Sequence, residues 1–348
     1  MGLATHELTA AGPRSQEWPP GGLERVPECP ACAGPERELL HTGLTDRLFG
    51  CASGTWSLWC CATCGSAYLD PRPTQETILL AYGEYFTHDD ALVRPTPRLG
   101  RLRETLANGY LNGRYGTRVS PASRLGPALV RLFPLRRVKT DREVRHLVRP
   151  ENGGTVLDVG CGNGAFLVQA QRSGWRALGV DPDPDAVASC RRAGLSASQG
   201  TIDTVDLPPG SLDAVTFSHV LEHLHHPRRA LALAYELLRP GGVLWLATPN
   251  LSSAGHARFG PEWLGLDPPR HLVVFTRSSL ERAVVEAGFE IDARPTASFT
   301  SWIYGRSAAL AGGGRPNAAA RLRTRLSDAR ALVRPGRAEE LLLVARRP

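Results

Sequence analysis

A chain of 348 residues that is 42% hydrophobic can bury a sizeable core, as one large domain or two smaller ones. No stretch reaches the roughly 18 consecutive apolar residues of a membrane span, and the first thirty residues lack a signal-peptide core, so a cytoplasmic protein with no membrane partner is expected. The net charge of +7 is unevenly spread, at −4 for residues 1–70, +8 for 71–150, −5 for 151–292 and +8 for 293–348. Of the 41 basic residues only Lys139 is lysine, a skew that reads as genome composition rather than as a surface built for phosphate.

Residues 1–28 carry Pro, Gly and Ser-type breakers with little periodicity and are expected to form a flexible tail. Residues 29–70 hold two C-x-x-C pairs, Cys29-Pro-Ala-Cys32 and Cys61-Ala-Thr-Cys64, on either side of a strand-like "TWSLW". Eight cysteines without an export signal argue against disulfides. Two C-x-x-C turns supply the four thiolates of a tetrahedral Zn2+, and fewer than fifty residues hold too small a core to be stable without it. The expected ligands are Cys29, Cys32, Cys61 and Cys64. Cys60 competes with Cys61, and Cys51 is a weaker spare. Such a closed site would be structural.

Segment 71–149 reads as short helices interrupted by Pro95, Pro97, Pro121, Pro127 and Pro134, a lid or linker. The texture then changes. "TVLDVG", "WRALGVD", "SLDAVTFSH" and "VLWLATPN" read as strands, separated by the helices "AFLVQAQRSG", "PDAVASCRRAG" and "PRRALALAYELLRPGG". A further helix, "SSLERAVVEAGF", has capping-box spacing at Ser278 and Glu281, and is followed by strands near "FEIDARP" and "EELLLVARR". Residues 303–337 read as a partly helical insertion. Regular alternation implies crossover connections and a mostly parallel α/β sheet covered on both faces, over a domain spanning 150–348.

Ligands of such sheets bind at the carboxyl ends of the strands, where the turn Gly160-Cys161-Gly162-Asn163-Gly164 lies. Those glycines can be forced onto a dinucleotide fingerprint, with Ala165 as the last small residue and Asp181 on a ribose. Asp158, two residues before Gly160, decides against it, because a pyrophosphate at the next helix N-terminus wants no carboxylate beside it. S-adenosylmethionine carries an ammonium and a sulfonium instead. Asp158 suits its methionine end, and Asp181 its ribose hydroxyls.

"LDVGCGNGAFL", "ALGVDPDPDAV", "LDAVTFSHVLEHLHHPRRALALAYELLRPGGVLWLATPN" and the later "AGF" resemble a class I S-adenosylmethionine-dependent methyltransferase over about 155–300. The resemblance implies a Rossmann-like seven-stranded sheet with its last strand antiparallel. It puts Asp158, Gly160, Cys161, Gly162 and Gly164 around the methionine, Asp181 and Pro182 at the ribose, Thr201 and Ile202 beside the adenine, and Ser218 and His219 near the methyl group. Asp203 is the nearest acidic residue to the adenine position and is displaced from the family's usual place. The cysteine module resembles an N-terminal extension found in a subset of these enzymes.

An acidic acceptor such as a phenol, hydroxyl or carbon acid needs a general base. His271, after the loop "WLGLDPPR", is the first candidate, followed by His223 and His219; Glu222 and Arg270 lie close to them in sequence, Trp263 could wall an acceptor, and His225 and His226 are expected to be solvated. In the resembling ubiquinone-pathway O-methyltransferases this region lies beside the substrate. The expected function is O- or C-methylation of a small molecule, in specialised metabolism. The alternatives are an RNA base methyltransferase, suggested by the two basic segments, and a cofactor-binding protein without turnover.

Overall fold

The computed structural model describes residues 18–47, 49–82, 98–150, 152–293, 301–312 and 318–348. Short N-terminal strands come first: β1 (Leu23–Glu24), β2 (Arg37–Leu44), β3 (Trp56–Cys61), β4 (Ala67–Leu69) and β5 (Arg72–Pro73). The expected tail lies outside the described residues over 1–17. Residues 18–28, however, are packed: β1 pairs with β5, the Trp18 indole donates to Gly22 O, and the Val26 amide donates to Asp70. Breaker-rich composition could not reveal these long-range partners. Helices α1 (Arg98–Tyr115), α2 (Gly126–Arg131) and α3 (Pro134–Glu143) follow, the last two carrying a proline, Pro127 or Pro134, at one of their first two positions, where its fixed φ suits a first helical turn.

The remaining chain alternates through β6 (Gly154–Val159), α4 (Ala165–Arg172), β7 (Trp175–Asp181), α5 (Pro184–Arg192), β8 (Ser196–Gln199), β9 (Leu212–Ser218), α6 (Pro227–Leu237) and β10 (Leu238–Pro249). Then come α7 (Ala254–Phe259), β11 (Val273–Val274), α8 (Arg277–Glu286), β12 (Glu290–Ala293), α9 (Ser301–Ala311), α10 (Ala318–Val333) and β13 (Glu340–Arg346). Helix α8 is capped by Thr276 with Ser279, not by Ser278 with Glu281, because the chain turns helical two residues earlier than the spacing suggested.

Seven strands form one sheet in the order β12-β13-β10-β9-β6-β7-β8. β13 runs antiparallel to both β10 and β12, while β6 pairs in parallel with β7 and β9. The reversal of strand order at β6 and β9 opens a crevice at their carboxyl ends. Both faces of the central strands are buried, which explains the continuous apolar runs. A second sheet, β11-β4-β3-β2, joins the cysteine module to the rest. β11, just after His271, pairs with β4, and Leu69 N donates to Leu272 O. The module is thus built into the wall carrying the candidate base. Among the described residues no helix is long and apolar enough to cross a membrane.

Candidate active site and cysteine cluster

β6 delivers Asp158 to the crevice, and the chain then turns through glycines with φ of +69° at Gly160, +52° at Gly162 and +80° at Gly164, a region that side chains disfavour. A Cβ on Gly160 would meet Val220 Cγ2 at 2.4 Å, whereas one on Gly162 would meet nothing within 4 Å. Gly160 is therefore a packing necessity, and Gly162 leaves open space for a ligand. Gly162 N donates to Asp181 Oδ2 at 2.8 Å and Asp183 N to Oδ1 at 3.0 Å, so the second strand's carboxylate is already braced on the turn. Burial pushes the Asp181 carboxyl up against those two amides. Cys161 is buried beneath the turn, Pro182 is exposed, Thr201 caps a short 3-10 turn whose Ile202 is buried, and Ser218 ends β9. Asp203 pairs with Arg229 at 2.5 Å. Asp213 serves the backbone, accepting Thr155 N at 2.8 Å.

Asp158 is 1% exposed and paired with Arg145, whose guanidinium also reaches Thr216 Oγ1 at 2.5 Å and stacks 3.6 Å over the Phe166 ring. Asp158 Oδ2 has no hydrogen-bond partner among the described residues. A buried carboxylate oxygen without a donor is costly, so this atom fits a ligand that brings one, as an ammonium group does. Sequence reasoning missed Arg145; a lone arginine in an arginine-rich segment carries no signature.

His219, also at φ +56°, is clamped between Glu222 Oε1 at 3.2 Å from Nδ1 and Glu340 Oε2 at 2.8 Å from Nε2. Burial pulls its pKa down, but the two carboxylates outweigh burial and hold it at about 9. An imidazolium with both nitrogens engaged accepts no proton at neutral pH. His219 is thus a structural cation, contrary to its expected role as a base. The network extends to Arg142, 2.8 Å from Glu340, and to Thr248, which donates to Glu222 Oε2 at 2.9 Å.

His223 and His271 differ from it. Their rings stand 4.7 Å apart, edge to face. His223 Nδ1 lies 2.9 Å from Arg270 O, and His271 Nδ1 lies 2.8 Å from Gly265 O. A carbonyl only accepts, so both Nδ1 atoms carry the proton and both Nε2 atoms present lone pairs. Burial, with His271 nearby, lowers the His223 pKa to about 4. One ligand-type atom from each of Glu222, His223 and His271 lies within 4.8 Å of the others, an arrangement that also suits a divalent cation. Tyr82 approaches His223 Nδ1 at 3.0 Å.

The neighbouring candidates are internal. Arg270, fully buried, chelates Asp46 and Asp267 with 2.6 Å contacts to each and donates to Ala81 O, locking the loop before His271 onto the N-terminal segment. Trp263 is 1% exposed and donates to Glu339 at 2.7 Å, so it packs the core instead of walling an acceptor. His225 is buried with Nε2 2.9 Å from Pro73 O, not solvated.

In the N-terminal module, Cys29 Sγ lies 3.7 Å from Cys64 Sγ, and Cys32 Sγ 3.6 Å from Cys61 Sγ. A tetrahedron with metal–sulfur bonds of about 2.3 Å has edges of about 3.8 Å, so the cage has the size of a four-thiolate zinc site. Matching turns build it, with Ala33 N donating to Cys29 O and Gly65 N to Cys61 O. Cys60 points away towards the Cys61 carbonyl, and Cys51 donates to Ala81 O.

An open α/β sheet with this strand order and glycine turn defines a class I methyltransferase architecture. Residues 135–294, somewhat under half of the chain, match the family described as methyltransferase domain. It is 35% identical over 133 residues to a ubiquinone biosynthesis O-methyltransferase of Xanthomonas campestris pv. campestris, covering 36% of this chain and 55% of that one. The corresponding protein of Methylococcus capsulatus is 33% identical over 121 residues, covering 32% and 51%. The chain thus spans about half the length of these curated relatives. A solved S-adenosylmethionine-dependent methyltransferase from Mesorhizobium loti aligns at 21% identity and a TM-score of 0.41, over 60% of this chain and 98% of that one.

Proposed function

We propose that this protein transfers a methyl group from S-adenosylmethionine to a hydroxyl oxygen of a small molecule. The carrying observation is the pair of Nε2 lone pairs on His223 and His271, in the loops that follow the crevice strands. When bound, the cofactor supplies an electrophilic methyl on a sulfonium. Asp158 Oδ2 would take the ammonium and Asp181 the ribose hydroxyls, with Gly160, Cys161, Gly162, Gly164 and Pro182 forming the backbone wall, Thr201 and Ile202 bordering the adenine, and Ser218 near the methyl group. As the acceptor oxygen takes up the methyl group that the bound cofactor would supply, the hydroxyl proton would pass to Nε2 of His271. His223, held neutral, orients the hydroxyl, and burial of the His271 ring limits competing water. Ubiquinone biosynthesis O-methyltransferases as relatives support the acceptor class.

Zn2+ is assigned to Cys29, Cys32, Cys61 and Cys64 as a structural ion with no open coordination position. A second reading of Glu222, His223 and His271, favoured by their 4.8 Å clustering, is a divalent cation that polarises the acceptor hydroxyl. Activity against a phenol panel tests both. His271→Ala should abolish turnover while S-adenosylhomocysteine still binds, and activity unchanged by chelator supports the base. Turnover by His271→Ala at the unaltered rate would remove the proposal.

A further inference from the structure

Outside the crevice, a cleft of about 260 Å3 opens between α7, α9 and α10, lined by Arg258, Tyr304, Arg323, Ser327, Arg330 and Arg337 among others. None of its nine lining residues is acidic. Exposed arginines elsewhere in the sheet domain are commonly matched, as Arg229 with Asp203, Arg239 with Asp213 and Arg346 with Asp292. The four cleft arginines form no ion pair among the described residues. Instead, the Arg258 guanidinium lies over Phe259, and Arg337 donates to Ser252 O at 3.3 Å. Four guanidiniums around one concavity repel each other, a cost that a polyanion in their midst reverses.

The position of the cleft relates it to methyl transfer. Four residues separate the end of β10 from the start of helix α7, at the carboxyl edge of the sheet. The α9 helix that carries Tyr304 is tied to the His271 loop through Ser307 Oγ, which accepts Leu264 N at 2.9 Å. The volume is small for a whole ligand, for which about 300–1,000 Å3 is usual, but it suits a terminal group.

We propose that this cleft is an anion-binding subsite that holds a phosphate- or diphosphate-bearing end of the acceptor. The link to the acceptor rests on the methyl-transfer reading; the anion site itself does not. Guanidinium forks match phosphate oxygens two at a time, and Tyr304 and Ser327 add hydroxyl donors. One carboxylate would leave most of the four positive charges unmatched, whereas a diphosphate meets them.

Calorimetric titration with inorganic pyrophosphate, with succinate for comparison, tests it on the full chain. The unaltered protein should bind pyrophosphate at least about tenfold more tightly than succinate, and R323S/R330S should weaken pyrophosphate about tenfold or more. R228S/R229S, on a different face, should not. Pyrophosphate binding that is absent, or lost equally in both double variants, would overturn the subsite. S-adenosylhomocysteine titrated into the same samples separates the two claims: its failure to bind sinks the methyl-transfer reading and leaves the anion site standing, whereas its binding with no arginine-dependent pyrophosphate site does the reverse.

Discussion

Asp158→Asn replaces a carboxylate that is 1% exposed and paired with a guanidinium whose side chain is only 10% exposed. The amide oxygen can still accept from Thr216, so the shape survives and the charge does not. Arg145 is then left buried against Phe166 and Trp245 with no counter-ion, which costs about 3–5 kcal/mol. Urea unfolding should show that loss, and R145M/D158N should recover most of it, because replacing the guanidinium by an apolar side chain removes the buried charge left without a counter-ion. Binding reports separately. A charge-assisted hydrogen bond to the cofactor ammonium contributes about 1.5–3 kcal/mol, so Asp158→Asn should weaken S-adenosylhomocysteine by roughly ten- to 150-fold. The double variant should not restore that affinity. If Asp158→Asn loses stability yet binds within a factor of two of the unaltered protein, the carboxylate serves only Arg145, and its assignment to the methionine end is wrong.

Three further outcomes follow from the same geometry. Metal analysis of purified protein should find one zinc per chain, lost in Cys61→Ser and retained in Cys60→Ser, since only Cys61 Sγ faces the cage; retention by both variants would contradict the ligand set. Asp46→Ala strips Arg270 of a bidentate partner and should cost about 3–5 kcal/mol while lowering turnover through the displaced His271 loop; loss of stability without loss of kcat would confine Arg270 to folding. Burial pushes the Glu339 carboxyl up from 4.5 to about 7. A raised folded-state pKa means that stability is fully present below about pH 4.5 and falls by about 3 kcal/mol as pH rises through 7. Glu339→Gln should flatten that slope in thermal melts taken from pH 5 to 8, and an unaltered slope would remove Glu339 as its source.

Legibility followed the range of the forces. The glycine turn, Asp181 at its strand end, the α/β alternation and the returning last strand are all local patterns of period, punctuation and residue type, and they appear where the sequence places them. β8 escaped notice because Ser196–Gln199 is a four-residue, mostly exposed edge strand with no apolar period. Partners distant in the chain were illegible. Arg145 finds Asp158 across a turn, His219 finds Glu340 121 residues away, and β11 joins β4 across some two hundred residues. The same blindness misassigned His219, His225 and Trp263. A histidine or tryptophan in a loop looks available until its carboxylate or carbonyl partner is known. His223 and His271 could be suspected from sequence, but the Nδ1–carbonyl contacts that assign the proton to Nδ1 are visible only in three dimensions.

The central claim is that the crevice at the carboxyl ends of β6 and β9, with Asp181 of β7 beside it, holds S-adenosylmethionine. Calorimetric titration of the zinc-loaded protein with S-adenosylhomocysteine, with NADH as the control, tests it most directly. One site for S-adenosylhomocysteine and none for NADH is the predicted result. Binding of NADH alone would contradict the reading of Asp158 and with it the methyl transfer.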